Sequence, residues 1–219
     1  MSPSPAKPRR VVLLGPPASG KGTQGRRLAD HLGIGYLGTG ALLREHVEHA
    51  TPLGRIAGPI LARGGYVPDD VMCDALGGWL ERHSQGWLLD GFPRSLPQAR
   101  FLDAWLGQKG LQIDAVLLLE APYEELLSRI RGRVECPGCR WSGQKSQKLG
   151  DGLCPSCGMA TDTRSDDTEE NFAARHREYT RHTAPLINHY GELGLLTACD
   201  VTLPRDEVTA KLLRHLAAS

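Results

Sequence analysis

Short apolar runs recur along the chain, and each ends at a glycine or an acidic residue. Four of them are RRVVLLG from Arg9, GWLLDG from Gly86, DAVLLLE from Asp114 and LGLLTACD from Leu193. Runs of this length, rich in aliphatic and β-branched residues, predict strands that are buried on both faces. The shorter run IGYLG, from Ile34, predicts a fifth strand.

Amphipathic stretches separate these runs. SLPQARFLDAWLGQ, from Ser95, and PYEELLSRIRG, from Pro122, have the spacing of helices. Strands that alternate with helices predict an α/β fold, in which parallel strands are joined by right-handed crossovers and covered by helices on both faces. The expected core is therefore three layers around a parallel five-stranded sheet.

The segment between Gly132 and Arg164 breaks this alternation. It is polar and glycine-rich, and it has too few aliphatic residues to build a hydrophobic core of its own. We interpret it as an insertion. The stretch that follows, SDDTEENFAARHREYTRHTAPLINHYGEL, predicts one long helix that Ser165 or Asp166 would cap.

Charge and composition exclude several classes of protein. The 219 residues include 26 Lys and Arg against 25 Asp and Glu, so no strong field of one sign favours nucleic acid or an anionic membrane as a partner. No apolar run reaches the ~18 residues of a membrane span. The start, MSPSPAKPRR, lacks the apolar segment of a secretory signal, and we expect residues 1–9 to be a disordered tail. The expected location is the cytoplasm.

The stretch GPPASGKGT, from Gly15, follows the first strand and precedes a helix, which is the setting of a phosphate-binding loop. Its glycines let successive backbone N–H groups point at one anion, and Lys21 would reach the β and γ phosphates of a nucleotide. Gly22 stands where a hydroxyl residue would ligate Mg²⁺ directly. We therefore expect the nucleotide and water to hold the ion, with Asp90 in its outer shell.

Four cysteines of the insertion form two C-x-x-C pairs, Cys136 with Cys139 and Cys154 with Cys157. Pairs at this spacing can close a tetrahedral Cys₄ shell around Zn²⁺, which would be structural because no coordination position stays open. Disulfides or an iron-containing site are the alternatives. A zinc ribbon that binds nucleic acid needs a basic and aromatic surface, and nearby acidic residues offset the few basic ones here.

A series of motifs resembles those of the adenylate kinases, in the same order. Besides the phosphate loop they are TGALLR from Thr39, LLDGFPRSLPQA from Leu88, RIRGR from Arg129, RSDDTEENFAAR from Arg164 and TAPL from Thr183. The resemblance implies a three-layer phosphate-loop kinase fold with three parts. These are a core at 10–37, 68–131 and 166–219, a helical AMP-binding insert at 38–67, and a zinc-binding lid over ATP at 132–165.

For function, the resemblance implies reversible transfer of a phosphoryl group from MgATP to AMP, giving two ADP, by a monomer. It implies that ATP is bound by Ala18, Ser19, Gly20, Lys21, Gly22, Thr23, Arg129 and Arg133. It implies that AMP is bound by Thr39, Arg44, Gly65, Tyr66, Val67, Gly91, Phe92, Pro93, Arg94, Gln98, Arg164 and Arg175. The groups implied to act on the transferring phosphoryl are Lys21, Arg94, Arg133, Arg164 and Arg175.

The residues are also compatible with two other functions. Another nucleoside monophosphate kinase, using UMP or CMP, or GTP with AMP, would share most of these motifs, although Thr39 and Gln98 favour adenine. A nucleotide-switched zinc ribbon that binds nucleic acid would share only the phosphate loop and the cysteines. The chain also departs from the family pattern at Ala18, Gly38 and Ala41. At Ala18 we expect the loop to tolerate the added methyl group.

Overall fold

The structure is a computed structural model that describes residues 9–139, 141–147 and 152–218. Residues 1–8 of the expected tail, and residues 140 and 148–151 of the insertion, lie outside the described residues. The strands are β1 (Arg10–Leu14), β2 (Gly35–Gly38), β3 (Trp87–Asp90), β4 (Ala115–Glu120), β5 (Arg133–Glu135), β6 (Ser142–Gln144) and β7 (Leu196–Asp200). Five of them form a parallel sheet in the order β2-β3-β1-β4-β7. The α/β fold with five parallel strands is thereby confirmed.

The helices connect these strands and flank the sheet. They are α1 (Lys21–Leu32), α2 (Thr39–Glu48), α3 (Pro52–Ala62), α4 (Asp69–Arg82), α5 (Leu96–Gly107), α6 (Tyr123–Gly132), α7 (Glu169–Glu178), α8 (Pro185–Glu192) and α9 (Arg205–Ala218). In the part of the chain that the structure describes, none of them combines the length and the apolar character needed to cross a bilayer.

Alternate residues of the central strands pack on opposite faces of the sheet. Val12 and Leu14 of β1 belong to a cluster completed by side chains of α4, α5 and α8. Val11 and Leu13 belong to a second cluster completed by side chains of α1 and α9. This period of two, with both faces buried, is the reason that the apolar runs are continuous and not alternating.

The single long helix expected after the insertion is wrong in two respects. It begins at Glu169, and the side chain of Thr168, not Ser165 or Asp166, accepts from the backbone N–H of Asn171 at 3.1 Å. It is also interrupted by a π-helical turn, Tyr179–Thr183, after which α8 begins at Pro185. Because proline has no N–H to donate, the ladder of hydrogen bonds cannot continue through this point unchanged.

The insertion is built on a small antiparallel hairpin, β5 paired with β6. An isolated bridge joins Glu135 to Asp162, so the strand that leaves the core lies beside the segment that returns to it. A second bridge joins Leu153 to Ala160 next to the cysteines. The bridge between Glu135 and Asp162 thus holds both ends of the insertion together where they meet the core.

Candidate active site

A cavity of about 580 Å³ lies at the carboxyl ends of β1 and β3. Its walls include Leu14 and Asp90, which end those two strands, together with the loop after β1 and the first turn of α1. In open α/β sheets ligands bind in the crevice outside the carboxyl ends of the strands. The cavity therefore occupies the position where this fold places its chemistry.

The loop after β1 has a backbone that suits glycine at its two ends. Gly15 has a φ of +141°, and a Cβ added there would lie 2.4 Å from the carbonyl oxygen of Leu119. Gly20 has a φ of +91° and caps the amino end of α1. Ala18 also has a left-handed φ, +63°, while its methyl group packs against a small apolar cluster beneath α6. That packing offsets part of the backbone strain of an L-residue there.

Lys21 is curled into this loop. Its ammonium donates to the carbonyl oxygens of Gly15 and Pro16, both at 2.7 Å, and lies 3.3 Å from the hydroxyl of Ser19. Burial lowers the pKa of Lys21 to about 8; the carboxylate of Asp90 opposes this effect, and nearby guanidinium groups add to it. A buried ammonium group close to other cations is stabilised when an anion binds next to it.

Among the described residues, nine cationic side chains line the large cavity, whereas two acidic ones, Asp90 and Glu125, do so. The cations are Lys21, Arg26, Arg44, Arg94, Arg129, Arg133, Arg164, Arg175 and Arg205. Charges of one sign in a partly enclosed space attract and orient highly charged anions. The set includes all five groups that the resemblance implied for the transferring phosphoryl.

Three of these arginines are paired with carboxylates that do not line the cavity. Arg133 donates through Nε to Asp167 at 2.6 Å and through Nη2 to the other oxygen of the same group. Arg164 makes the same two-pronged pair with Glu135. Arg175 donates to Asp166, and its other terminal nitrogen lies 3.8 Å from Asp167. Sequence reasoning missed these three acids as partners of the site.

Asp166 and Glu135 keep their charge in this setting. Burial opposes ionisation of Asp166, yet the charge and hydrogen bond of Arg175 outweigh it, and its pKa lies below the ordinary value. Burial likewise opposes ionisation of Glu135, and the hydrogen bond from Arg164 lowers its pKa. Each arginine is thus held along one edge of its guanidinium, and its remaining N–H groups can turn to a ligand.

Arg164 and Arg175 reach the cavity from different elements of the chain. They do not share a helix, because α7 begins only at Glu169. Arg164 lies before the helix, in the returning end of the insertion, and Arg175 lies on it. The bridge between Glu135 and Asp162 brings Arg164 to the cavity instead.

Asp90 lies at the floor of the cavity beside Lys21. Its Oδ2 accepts a hydrogen bond from the hydroxyl of Tyr36 at 2.9 Å. Burial raises the pKa of Tyr36 far above its ordinary value, and the charge of Asp90 raises it further. Tyr36 therefore stays protonated and donates to Asp90. A Cβ on Gly22 would lie 3.5 Å from the same carboxylate oxygen, so the glycine leaves room above it.

A second, smaller cavity of about 30 Å³ lies between α2, α4 and the loop after β3. Seven residues implied to bind AMP line it: Thr39, Gly65, Tyr66, Val67, Gly91, Arg94 and Gln98. Its apolar wall comes from Leu43, Leu61 and Met72, which sequence reasoning did not single out. The sequence marks these three residues only as members of the apolar faces of α2, α3 and α4. Packing in the core explains such faces equally well.

Arg94 is positioned between the two cavities and lines both. Its Nε donates to the carbonyl of Gly91 at 2.7 Å, and its guanidinium stacks over the ring of Tyr66 at 4.7 Å from the centroid. The hydroxyl of Thr39 donates to the same carbonyl at 2.9 Å. The hydroxyl of Thr183, in the π-helical turn, donates to the carbonyl of Arg94 at 2.9 Å. The π-helical turn that interrupts the helix therefore contacts a residue of the site.

The opposite end of the large cavity contains Arg129. Its guanidinium donates to Glu125 at 3.0 Å and to the carbonyl oxygen of Val201 at 2.6 Å. Gln147, in the insertion, accepts from Arg205 of α9 at 3.0 Å. The insertion thus contacts the core on this side of the cavity.

The structure brings nearly all of the implied site residues to the two cavities. Ala18, Ser19, Gly20, Gly22, Thr23 and Pro93 line the large one, as does Arg44. Burial lowers the pKa of Arg44, and the charge of Arg164 lowers it further. Phe92 lies elsewhere: it is fully buried in the core and packs edge-on against Phe101.

The four cysteines of the insertion meet at one point. Their sulfur atoms all lie within 4.8 Å of one another, with Cys136 3.5 Å from Cys157 and Cys139 3.5 Å from Cys154. A disulfide requires about 2.05 Å between the sulfurs, so these four cysteines are free in this structure. A hydrogen bond with the backbone of Trp141 lowers the pKa of Cys139 to about 6. Although a hydrogen bond with the backbone of Met159 opposes the change, contacts with the other cysteine sulfurs raise the pKa of Cys157. Four sulfurs this close together form the donor set of a tetrahedral metal site.

Comparison with known proteins agrees with this arrangement. The model of the adenylate kinase family matches residues 13–195. The adenylate kinase of Finegoldia magna is 38% identical over 212 residues, which cover 94% of this chain and 98% of the relative. Those of Acidothermus cellulolyticus and Streptomyces coelicolor are each 40% identical, over 215 and 212 residues, at the same coverage. Similarity over this extent shows that the chain belongs to the adenylate kinase family.

Proposed function

We propose that this protein transfers the γ-phosphoryl group of MgATP to AMP, reversibly, giving two ADP. One observation carries the proposal: Lys21, Arg94 and the three paired arginines converge on a single cavity that joins the phosphate loop to a small apolar pocket. The phosphate loop suits the donor. The apolar wall and the amide of Gln98 that line the smaller cavity suit the base of the acceptor, for which that cavity has to widen. The cations between them suit the phosphates of both.

The residues supply position and charge in this mechanism, without a covalent intermediate. Lys21 and the loop N–H groups hold the donor phosphates, and Arg44 and Arg94 hold the acceptor phosphate, so that the two nucleotides face each other in line. Arg133, Arg164 and Arg175 stabilise charge on the phosphoryl group in flight. Arginines in this role contribute roughly 10³ to 10⁵ in rate.

Parts of the chain have distinct roles in the proposal. Residues 38–67 form the acceptor-binding insert, residues 132–165 form a lid over the donor, and the remaining residues from 10 onward form the core. Contact between Gln147 and Arg205 supports a lid that closes on the core. Closure excludes water, which would otherwise take the phosphoryl group.

Two metal ions belong to the proposal. Mg²⁺ arrives with ATP and neutralises phosphate charge; Asp90 would hold its water shell, and Gly22 leaves space there. Zn²⁺ would be bound by Cys136, Cys139, Cys154 and Cys157. Four thiolates at about 2.3 Å from zinc lie about 3.8 Å apart, within the range that these sulfurs show. Zinc supplies structural cross-linking, which a segment without a core of its own requires.

A coupled assay for ADP with AMP, UMP, CMP and GMP as acceptors tests the proposal. We expect ATP with AMP to be used far better than any other pair. A preference for UMP or CMP would assign the protein to another branch of nucleoside monophosphate kinases, and use of GTP in place of ATP would change the donor. Retention of RNA without ADP formation would favour the zinc-ribbon alternative. The monomeric state and the cytoplasmic location stay predictions, the former open to light scattering.

A further inference from the structure

One side-chain amide in the acceptor pocket is fixed in a single orientation. Gln98 lies in the first turn of α5, is 2% exposed and lines the smaller cavity. Its Oε1 accepts from the backbone N–H of Arg94 at 2.8 Å. Its Nε2 donates to Oδ1 of Asp69 at 2.7 Å.

These two partners leave the amide no alternative. A carboxylate only accepts hydrogen bonds, and a peptide N–H only donates. If the amide turned over, its oxygen would face the carboxylate of Asp69 and its NH₂ would face the N–H of Arg94. Both hydrogen bonds would be lost in a buried place, and each would be replaced by a contact between like poles.

Asp69 is itself held in position by a second contact. It is the first residue of α4, and its Oδ2 accepts from the hydroxyl of Ser95 at 2.8 Å. The oxygen of Ser95 accepts in turn from the backbone N–H of Gln98 at 3.3 Å. Both oxygens of the Asp69 carboxylate therefore accept hydrogen bonds from the amino end of α5. The carboxylate cannot rotate to accommodate a turned-over Gln98 amide without losing the bond from Ser95.

We propose that Asp69 is a positioning residue that sets the base specificity of the acceptor site through Gln98. This inference rests on the proposed function, in which Gln98 contacts the acceptor base. With one lone pair and one N–H already engaged, the amide keeps one acceptor position at Oε1 and one donor position at Nε2 for the base. Oε1 accepts from the 6-amino group of adenine, whereas a 6-oxo purine places an oxygen against it and is rejected.

The test compares AMP with inosine monophosphate, IMP, in which a 6-oxo group replaces the 6-amino group. In Asp69→Asn the side chain at position 69 can donate as well as accept, so only the backbone N–H of Arg94 still opposes a turned-over amide. One of the two constraints on Gln98 is then gone, and the orientation that fits IMP becomes accessible. We expect the ratio of kcat/KM for AMP to that for IMP to fall by about tenfold or more, as expected from one hydrogen bond of roughly 1.4 kcal/mol. Because both substrates are measured on one preparation, a loss of folded protein cancels from the ratio.

Asp70→Asn is the matched control. Asp70 is the adjacent, exposed acid, and its carboxylate accepts from the backbone N–H of Val71, away from Gln98. This variant should keep the ratio of the unaltered protein. If Asp69→Asn does not fold, Asp69→Ala removes the carboxylate without adding a donor, and the ratio should again fall.

The outcomes separate the inference from the function on which it rests. No ADP from AMP in the unaltered protein would overturn the proposed function. An unaltered protein that uses AMP, together with Asp69 variants that keep the same AMP-to-IMP ratio, would overturn only the role of Asp69. A ratio that falls equally in Asp70→Asn would assign the effect to loss of negative charge at the start of α4, and would also overturn it.

Discussion

Arg164 is held side-on by Glu135, because its Nε–H and an Nη2–H donate to the two oxygens of that carboxylate. Glu135 ends the strand that enters the insertion, and Arg164 lies where the insertion returns to the core. Glu135, which does not line the cavity itself, therefore fixes the orientation of Arg164, which does. It also places one negative charge among Arg44, Arg133 and Arg164, which would otherwise repel one another.

The first prediction concerns this pair. In Glu135→Gln the charge is lost and one hydrogen bond is kept, so Arg164 moves from its position; we expect kcat to fall by about tenfold with a smaller change in KM. The free energy of unfolding should fall by about 1–2 kcal/mol, since the pair is about four-fifths buried. Steady-state kinetics and urea unfolding measure the two effects.

The same pair has a predictable dependence on pH. The pKa of Glu135 is lowered in the folded state, so its contribution to stability is present above the ordinary glutamate pKa of about 4.3 and is lost as pH falls through the lowered value. The difference in stability between the unaltered protein and Glu135→Gln should shrink over that acidic range. Glu124→Gln, at an exposed acid of α6, serves as the control for the loss of one negative charge.

The second prediction concerns Lys21. Because its pKa in the free protein is about 8, part of the population lacks the positive charge at pH 8.5, and bound phosphates restore it. ATP binding should therefore take up protons at this pH, and its affinity should decline as pH rises through 8. Titration calorimetry in two buffers of different ionisation enthalpy measures the uptake.

Two variants complete this test. Lys21→Met should abolish the proton uptake and lower kcat by roughly 10²–10³. Lys109→Met, in the turn that follows α5, should change neither. Equal proton uptake in Lys21→Met and in the unaltered protein would show that another group titrates.

The third prediction contrasts the two glycines that bound the phosphate loop. Both have positive φ, so alanine at either position introduces backbone strain of about 1–2 kcal/mol. At Gly15 the added Cβ also meets the carbonyl oxygen of Leu119 at 2.4 Å, whereas at Gly20, among the described residues other than its chain neighbours, no atom lies within 4 Å. Urea unfolding should show a clearly larger loss for Gly15→Ala than for Gly20→Ala. Equal losses would mean that the contact with Leu119 relaxes without cost.

The fourth prediction concerns the cysteine cluster. We expect one zinc ion per chain by mass spectrometry, and its loss on chelation or in Cys154→Ser. The insertion then loses its cross-link, and a cost of even about 2 kcal/mol would lower Tm by roughly 4–8 °C. Activity should fall with it. Cys73→Ala, at a buried cysteine of α4 outside the cluster, should keep the zinc. Unchanged Tm and activity after complete removal of the metal would refute the structural role.

Local patterns were enough to predict much of this molecule. The sheet was predictable because a strand that is buried on both faces must be apolar throughout, as Val11–Leu14 are. The phosphate loop was predictable because its backbone requires glycine at Gly15 and Gly20, whichever partners surround it. The cysteine cluster was predictable because two C-x-x-C pairs already contain most of the geometry of their site. In each case the signal lies within a few consecutive residues.

The remaining features depend on contacts between residues far apart in the chain. The polarity of Gln98 is set by Asp69, and Arg164 is oriented by Glu135, each 29 residues away. Periodicity carries no information about such partners, because a carboxylate on a helix or strand has the same pattern whether or not it meets an arginine. The sequence YTRHT does not distinguish the π-helical turn at Tyr179–Thr183 from an ordinary helix, and only the fold brings Thr183 to Arg94. Short-range spacing thus specified the elements and the reactive groups, and packing specified which of those groups hold one another in position.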